Sequence, residues 1–231
     1  MVSDEHAAYL SLPGIDGRKV LVTGGSRGIG RAVAVTLTAL GAHVGIGYRA
    51  DKRAAGEALG TMRDAAPADG DRPDPWAEAA DLSTERGVSR LFARLDSETD
   101  GALDIFVGNA GIWNEQPSTV RDLALEEWRA MIDANLTSAF LCTREACRRM
   151  GSGGRIILIS STAAQRGEPG HAHYAASKGA MQSFVKSVAA EVGGHGIAVN
   201  AVAPGWVHTD MTAGVLRETE RDRIESEIPI G

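Results

Sequence analysis

Short apolar segments alternate with helical segments along most of this chain. Six segments have the composition of strands, most of them β-branched and apolar: "KVLVTG" (19–24), "HVGIGYR" (43–49), "WAEAADLS" (76–83), "ALDIFVGNAG" (102–111), "RIILISS" (155–161) and "GIAVNAVAPG" (196–205). Continuously apolar strands are typical of parallel sheets covered by helices on both faces. The sequence therefore predicts an α/β fold with a doubly wound parallel sheet, and its 231 residues suit a single domain.

The segments between the strands predict helices. One covers 30–42, another runs to about residue 65, and a long one covers 125–150 with an interruption near Asn135. The segment "APADGDRPDP" (66–75) contains three prolines and predicts a surface loop.

A glycine-rich turn, "TGGSRGIG" (23–30), directly follows the first strand and opens the first helix. Gly24 allows a tight turn, Gly28 allows the backbone to approach a pyrophosphate, and Gly30 allows close packing of the helix. The free N–H groups at the start of a helix attract phosphates. The position of this turn favours dinucleotide binding over a purely structural turn.

The end of the second strand indicates which dinucleotide is bound. Sites that prefer NAD usually place an acidic residue there, whereas this chain has Tyr48 and Arg49, and Asp51 comes later. Arg27, within the glycine-rich turn, adds a second cation. A guanidinium suits a 2′-phosphate, so the predicted cofactor is NADP(H). The alternative is that Arg49 is only a solvated strand end.

Tyr174 and Lys178 are four residues apart in "HAHYAASKGA" (171–180), which places them on one face of a helix. A nearby cation lowers the pKa of a phenol and makes it a usable acid or base. Taken alone, the pair is more typical of an ordinary helix surface, so its role depends on the rest of the chain.

Six motifs occur in a set order: the glycine-rich turn, "GNAG" (108–111), Asn135, "SS" (160–161), "YAASK" (174–178) and "PGWVHT" (204–209). With these motifs the chain resembles a short-chain dehydrogenase/reductase, of the 3-oxoacyl-[acyl-carrier-protein] reductase type, from about Lys19 to Thr209. The resemblance implies one NAD(P)-binding Rossmann domain over 1–231. It also implies a homotetramer or a homodimer.

The resemblance implies four catalytic residues. Tyr174 would protonate the carbonyl oxygen, and Lys178 would lower its pKa and bind the ribose. Ser161, thirteen residues before Tyr174, would hydrogen-bond the substrate oxygen, with Ser160 less suited by that spacing. Asn135 would interrupt the long helix and hold a water in a proton relay to Lys178.

The resemblance also implies a set of cofactor-binding residues. Asp81 would contact the adenine, Asn109 to Gly111 would border the adenine ribose, and Thr209 would reach the carboxamide. The full predicted set is Gly24, Ser26, Arg27, Gly28, Ile29, Gly30, Tyr48, Arg49, Asp81, Leu82, Asn109, Ala110, Gly111, Tyr174, Lys178, Pro204, Gly205, Val207 and Thr209.

Two tryptophans stand where this family usually forms its substrate pocket. Trp113 follows "GNAG" and Trp206 follows "PG", and together with Ser161 they are the predicted substrate contacts. The alternative is that both tryptophans are packing residues. His171 and His173 are expected to have loop or packing roles.

Composition excludes several other classes of function. The net charge of −6 disfavours nucleic acid or an anionic membrane as the main partner, and no apolar stretch approaches the length of a membrane span. No export signal is visible, so a cytoplasmic protein is expected. Cys142 and Cys147 suit neither a metal site nor a redox pair, and no metal is expected.

The chain departs from the family pattern at two places. Gly108 stands where the family often has a second asparagine, so a contact that stabilises the sheet is expected to be missing. The sequence stops at "EIPIG" (227–231), where family members usually continue through another helix and strand. The expected domain therefore lacks that last helix and strand, which leaves the oligomeric state open.

The predicted function is reduction of a ketone to a secondary alcohol by an NADPH-dependent enzyme. The substrate would be a small carbonyl compound or its alcohol, such as a 3-oxoacyl thioester or a secondary-metabolite ketone. An acyl-carrier protein is a candidate partner because Arg148 and Arg149 end the long helix. The alternatives are an NADP-dependent sugar or polyol dehydrogenase and a non-catalytic nucleotide-binding regulator.

Overall fold

A parallel sheet organises the molecule. The computed structural model describes residues 14–68, 72–214 and 216, and within them six strands pair in the order β3-β2-β1-β4-β5-β6. The strands are β1 (Lys19–Thr23), β2 (His43–Tyr48), β3 (Trp76–Ala79), β4 (Ile105–Gly108), β5 (Arg155–Ile159) and β6 (Ala198–Val202). Every pair is parallel. The predicted α/β class and parallel sheet are confirmed.

Helices connect these strands and cover the sheet. They are α1 (Gly28–Ala39), α2 (Lys52–Ala65), α3 (Glu85–Thr99), α4 (Leu125–Ile132), α5 (Ser138–Arg149), α6 (Ala163–Arg166) and α7 (Ala172–Val192). A single π-helical turn, Asp133–Thr137, joins α4 to α5. The predicted interruption of the long helix near Asn135 is confirmed.

Alternate residues of the central strand β1 pack into two separate hydrophobic cores, one on each face of the sheet. Val20 and Val22 of β1 pack with α1 and α2 on one face, whereas Leu21 packs with α3, α5 and α7 on the other. All three side chains are fully buried. Period-two alternation in a sheet covered on both sides explains why the sequence of β1 is apolar throughout.

Several strands are shorter than predicted at their carboxyl ends. Strands β3, β4 and β6 end at Ala79, Gly108 and Val202, although the apolar pattern of the sequence continues beyond these residues. After β4 the reason is visible, because the amide of Asn109 donates to the Thr23 hydroxyl at 3.0 Å instead of joining the ladder. The segments that directly follow these strands contain many of the predicted site residues.

Gly108 is a packing position. A Cβ atom there would lie 2.5 Å from Cδ2 of Leu158 and 3.3 Å from Cε1 of Phe106, and both of those side chains are fully buried. The space that an asparagine would need is therefore taken by the core of the sheet.

The predicted surface loop and the end of the chain include residues that the structure does not describe. Most of the predicted 66–75 loop is irregular, with residues 69–71 outside the described residues. The expectation about the chain's end at 227–231 also lies outside them. Among the described helices none has the length and apolar character needed to cross a bilayer.

Cys142 is buried, and burial raises the pKa of its thiol to about 12, as expected for a packed cysteine.

Candidate active site

A groove runs along the carboxyl ends of the strands, where the strand order reverses between β1 and β4. Two cavities of about 420 Å³ and 370 Å³ adjoin there, and both are lined by Gly24, Ala110, Gly111 and Ile112. Ligands of open α/β sheets bind at such a switch point. The groove has the position of a dinucleotide site.

The glycine-rich turn is held in place by Asn109. The Asn109 side-chain amide donates to the carbonyl oxygens of Thr23 and Gly24, each at 3.1 Å. Gly24 has φ +64°, in the region that favours glycine, and a Cβ there would lie 2.9 Å from Asn109 Nδ2. A Cβ at Gly30 would meet Asn109 Nδ2 and the Gly24 carbonyl oxygen. Both glycines are required by close approach of the backbone.

The start of α1 faces this turn without a side-chain cap. Arg27 occupies the N-cap position and makes no capping hydrogen bond. The first N–H groups of α1 therefore have no capping side chain, and the glycines leave space for a ligand to approach them. This end of the groove fits the pyrophosphate of a dinucleotide.

The smaller cavity has a polar rim near the end of β2. The Asp81 carboxylate accepts hydrogen bonds from the amide (3.1 Å) and hydroxyl (2.6 Å) of Ser83. These bonds lower the pKa of Asp81, and the charge of the exposed Arg49 adds to the effect. This cavity fits the adenosine half, with Arg49 at its edge.

Arg27 has partners that the sequence did not predict. Its guanidinium pairs with Asp51 at the start of α2, and its Nε lies 3.7 Å from Asp210. Two carboxylates thus compete with any 2′-phosphate for Arg27. Arg49 becomes the more important candidate for recognising that phosphate.

Lys178 is buried beneath the larger cavity. Its side chain is only 4% exposed, and its ammonium donates to the carbonyl oxygen of Ile159 at 2.7 Å. Burial lowers the pKa of Lys178 to about 8. The ammonium lies 5.8 Å from the centre of the Tyr174 ring. The i,i+4 spacing therefore brings the two side chains into the same site.

The electrostatics of Tyr174 differ from the sequence-based expectation. Burial raises the pKa of the phenol, and a hydrogen bond with Ser161 opposes that effect only in part. Lys178 was expected to lower this pKa, but its ammonium is directed to Ile159 and burial dominates. The phenol is therefore protonated at neutral pH.

The two adjacent serines have different roles. Ser161 is half-buried and hydrogen-bonds Tyr174. Ser160 is buried, and its hydroxyl donates to the carbonyl oxygen of Lys178 at 3.0 Å and accepts from Gln182. The Ser160 hydroxyl is therefore engaged with α7, whereas Ser161 lies beside the Tyr174 phenol.

Asn135 anchors the loop that follows β4. Its side chain is fully buried; Oδ1 accepts from the amide of Ile112 at 2.7 Å, and Nδ2 donates to the carbonyl oxygen of Ile112 at 3.1 Å and to Ser177 at 3.2 Å. A Cβ on Gly111 would lie 3.0 Å from Asn135 Oδ1 and 3.5 Å from Lys178 Nζ. The side-chain amide is thus committed to the loop, and the proton relay stays a prediction.

The predicted residues divide into those that line one or both of the cavities and those that line neither. Those that line the larger cavity are Gly24, Arg27, Gly28, Ile29, Asn109, Ala110, Gly111, Trp113, Tyr174, Lys178 and Thr209. Those that line the smaller one are Gly24, Tyr48, Arg49, Asp81, Leu82, Ala110 and Gly111. Those that line neither are Ser26, Gly30, Asn135, Ser161, Pro204, Gly205, Trp206 and Val207.

The sequence reasoning missed several lining residues. They are Ile112, Glu115, Ile159, Asp210 and Met211 in the larger cavity and Gly47, Ala80, Ser83, Ala130, Asp133 and Ala134 in the smaller one. Asp210 directly follows Thr209 and could have been found by extending the last motif by one residue. The others have common side chains and no distinctive spacing.

Comparisons with known proteins agree with this geometry. The family model for short chain dehydrogenases matches residues 18–220. An NADPH-dependent aldehyde reductase-like chloroplastic protein of Arabidopsis thaliana is 36% identical, over 93% of this chain and 82% of that protein. A 3-oxoacyl-[acyl-carrier-protein] reductase of Synechocystis is 38% identical, over 86% and 77% of the two chains.

A solved structure resembles both the sequence and the fold. It is a short chain dehydrogenase from Burkholderia cenocepacia in complex with NADP, which is 35% identical with a TM-score of 0.80, over 90% of this chain and 83% of that one. The match of the family model to most of the chain, together with the groove and its Tyr174–Lys178 pair, shows that this protein is an oxidoreductase of the short-chain dehydrogenase family.

Proposed function

We propose that this protein is an NADPH-dependent reductase that converts a ketone into a secondary alcohol. The observation that carries the proposal is the Tyr174 phenol, which has a raised pKa, hydrogen-bonds Ser161 and lies at one end of a dinucleotide groove. A phenol that stays protonated at neutral pH can donate a proton, as reduction of a carbonyl requires.

The chain's own residues would bind and protonate the carbonyl oxygen. Ser161 and Tyr174 both direct hydroxyl groups to that oxygen, and Tyr174 transfers its proton as the oxygen gains charge. The nicotinamide cofactor, when bound, supplies the hydride. Lys178, with a pKa of about 8, is mostly protonated at neutral pH and stabilises the resulting phenolate.

The proposed cofactor is NADP(H) rather than NAD(H). Two arginines border the groove, and Arg49 lies at the edge of the cavity that fits the adenosine. The similar Burkholderia protein was solved with NADP, and the similar Arabidopsis protein is named as NADPH-dependent.

Arg49→Ala is expected to raise the KM for NADPH by about 10-fold or more, with little change in the KM for NADH. The charge-assisted hydrogen bonds from a guanidinium to a 2′-phosphate account for this difference. Initial rates with both cofactors measure it. Arg53→Ala removes an exposed arginine that pairs with Glu57, and it serves as the control. Equal changes with both cofactors would exclude Arg49 as the phosphate contact.

Several classes of carbonyl compound are candidate substrates. A 3-oxoacyl thioester carried by an acyl-carrier protein is one candidate, but Arg148 and Arg149 do not offer free positive charge. Arg149 pairs with Asp96 at 2.7 Å and with Glu145 at 2.9 Å, and Arg148 pairs with Glu145 at 2.6 Å. These pairs weaken the case for acyl-carrier docking at that helix end.

The test of the proposed function is NADPH oxidation against a panel of carbonyl compounds. The panel contains 3-oxoacyl thioesters, cyclic ketones, aromatic ketones and sugars, with NADP⁺ and polyols for the reverse reaction. Turnover with a ketone is the expected result. Turnover of sugars or polyols alone would favour the polyol dehydrogenase, and tight NADPH binding without any turnover would favour a nucleotide-binding regulator.

We also propose that residues 1–231 form one nucleotide-binding domain that assembles as a homodimer or homotetramer. Exposed apolar side chains on α4 and α5 support assembly, since Leu125, Trp128 and Phe140 are 54%, 38% and 43% exposed. Exposed large apolar groups that cluster on a surface mark interaction sites.

A further inference from the structure

We propose that His171 is a positioning residue that holds Trp113 against Tyr174 and thereby selects flat, aromatic carbonyl substrates. The inference rests on the proposed function, because it concerns the substrate side of the same site. It assigns a role to a histidine whose sequence context indicated only packing.

Trp113 lies in a segment without helix or strand, yet its backbone is fixed on both sides. On one side, Asn135 hydrogen-bonds both the amide (2.7 Å) and the carbonyl oxygen (3.1 Å) of Ile112. On the other side, the Nε2 atom of His171 lies 2.9 Å from the carbonyl oxygen of Asn114. The Nδ1 atom lies 3.3 Å from the carbonyl oxygen of Pro169, and since a carbonyl can only accept, a neutral ring donates to one of these two oxygens. The shorter distance favours a proton on Nε2 and a hydrogen bond to Asn114.

The ring of His171 also contacts the ring of Trp113 directly. The two rings stack with centroids 3.8 Å apart and planes 18° apart. His171 is only 7% exposed, so both its hydrogen bond and its stacking are shielded from water. One side chain at the start of α7 therefore fixes both the backbone and the side chain of the loop.

Trp113 in turn contacts Tyr174, the proposed proton donor. Its ring meets the Tyr174 ring edge to face, with centroids 4.7 Å apart and planes 90° apart. Trp206 contacts Trp113 in the same manner at 6.1 Å. Such edge-to-face pairs have a preferred geometry, so a fixed Trp113 limits how far the phenol can swing.

The same tryptophan forms part of the wall of the larger cavity. Trp113 lines it together with Ile112 and Met211, next to Tyr174 and Lys178. A rigid indole beside the proton donor offers a flat apolar surface to a substrate ring. A small aliphatic ketone gains little from that surface. The arrangement therefore favours a carbonyl group attached to an aromatic system.

The experiment compares two replacements of His171 that separate its two contacts. His171→Phe retains a ring for stacking and loses the bond to Asn114, whereas His171→Gln retains a donor and loses the stack. His195→Gln is the control, because His195 is exposed in the turn after α7. Steady-state constants are measured with 2-acetylnaphthalene and with 2-butanone.

Both His171 variants are expected to raise the KM for 2-acetylnaphthalene by about 10-fold. The KM for 2-butanone and the Kd for NADPH should change by less than about twofold, because neither depends on the indole wall. Trp113→Leu should reproduce the loss of selectivity and covers the case in which a His171 variant does not fold. The inference would be overturned if the folded variants kept the wild-type ratio of the two KM values, either because neither KM changed or because both changed by the same factor.

A binding measurement separates this inference from the proposed function. Quenching of tryptophan fluorescence reports equilibrium binding of 2-acetylnaphthalene to the protein saturated with NADP⁺. Wild-type binding that weakens in the His171 variants, without turnover of any ketone, would support the positioning role while the reductase proposal fails. Absence of binding to the wild-type protein would overturn the positioning role itself.

Discussion

Tyr174→Phe is expected to lower kcat for ketone reduction by a factor of about 10² to 10⁴. The substitution removes only the hydroxyl, which is the proposed proton donor and the partner of Ser161. The ring remains, so its edge-to-face contact with Trp113 at 4.7 Å should persist. The loss should therefore appear in turnover and not in the packing of the site.

Cofactor affinity distinguishes a chemical effect from a structural one. The Kd for NADPH, from the change in cofactor fluorescence, should stay within about twofold of the wild-type value, because the glycine-rich turn and Arg49 are untouched. Thermal unfolding checks that the variant is folded. Turnover near the wild-type rate would exclude Tyr174 as the proton donor. A parallel loss of NADPH binding would show that the phenol acts mainly in holding the cofactor.

Much of the fold follows from local sequence patterns. Val20 and Val22 face one core and Leu21 the other, so an uninterrupted apolar strand already implies helices on both faces. Asn135 likewise marked the interruption of a long helix, which the π-helical turn Asp133–Thr137 confirms. The ends of strands were less predictable, because the apolar pattern continues beyond the point where Asn109 leaves the ladder for Thr23.

The site contains contacts that depend on distant parts of the chain. Arg27 pairs with Asp51 and approaches Asp210, which are 24 and 183 residues away in sequence, so local pattern cannot reveal this pairing. His171 and Trp113 are likewise brought together only by the fold. The pKa of Tyr174 was expected to fall because of a neighbouring cation, but burial is a property of the whole site and it dominates.

Lys178→Met is expected to abolish most turnover while removing a source of instability. Lys178 is charged at neutral pH although it is buried, and burial lowers its pKa from 10.5 to about 8. That difference means that the charged lysine lowers the free energy of unfolding by about 3 kcal/mol. Loss of the hydrogen bond to Ile159 offsets part of the gain, by about 1–3 kcal/mol. At pH 7 the variant should therefore be about as stable as the wild type, or more so.

The pH dependence of stability makes this prediction specific. Below pH 8 the lysine is protonated in both the folded and the unfolded protein, and above its unfolded pKa of 10.5 it is neutral in both. Between these values the unfolded protein binds more protons, so the wild type gains stability as the pH rises. Lys178→Met lacks the group and therefore lacks that gain. Urea unfolding at pH 7 and pH 10 measures the difference between the two proteins.

Lys186→Met is the matched control, because Lys186 is exposed on the same helix, α7. It should leave both turnover and the pH dependence of unfolding at their wild-type values. If Lys178→Met instead followed the wild-type dependence between pH 7 and pH 10, burial of a charged ammonium would not be a cost in this fold. Lys178 would then keep its ordinary pKa of 10.5 in the folded protein and stay charged up to about pH 10, so a lowered pKa of Lys178 would be excluded. The stability measurement thus tests the charge state of Lys178, on which the proposed stabilisation of the Tyr174 phenolate depends.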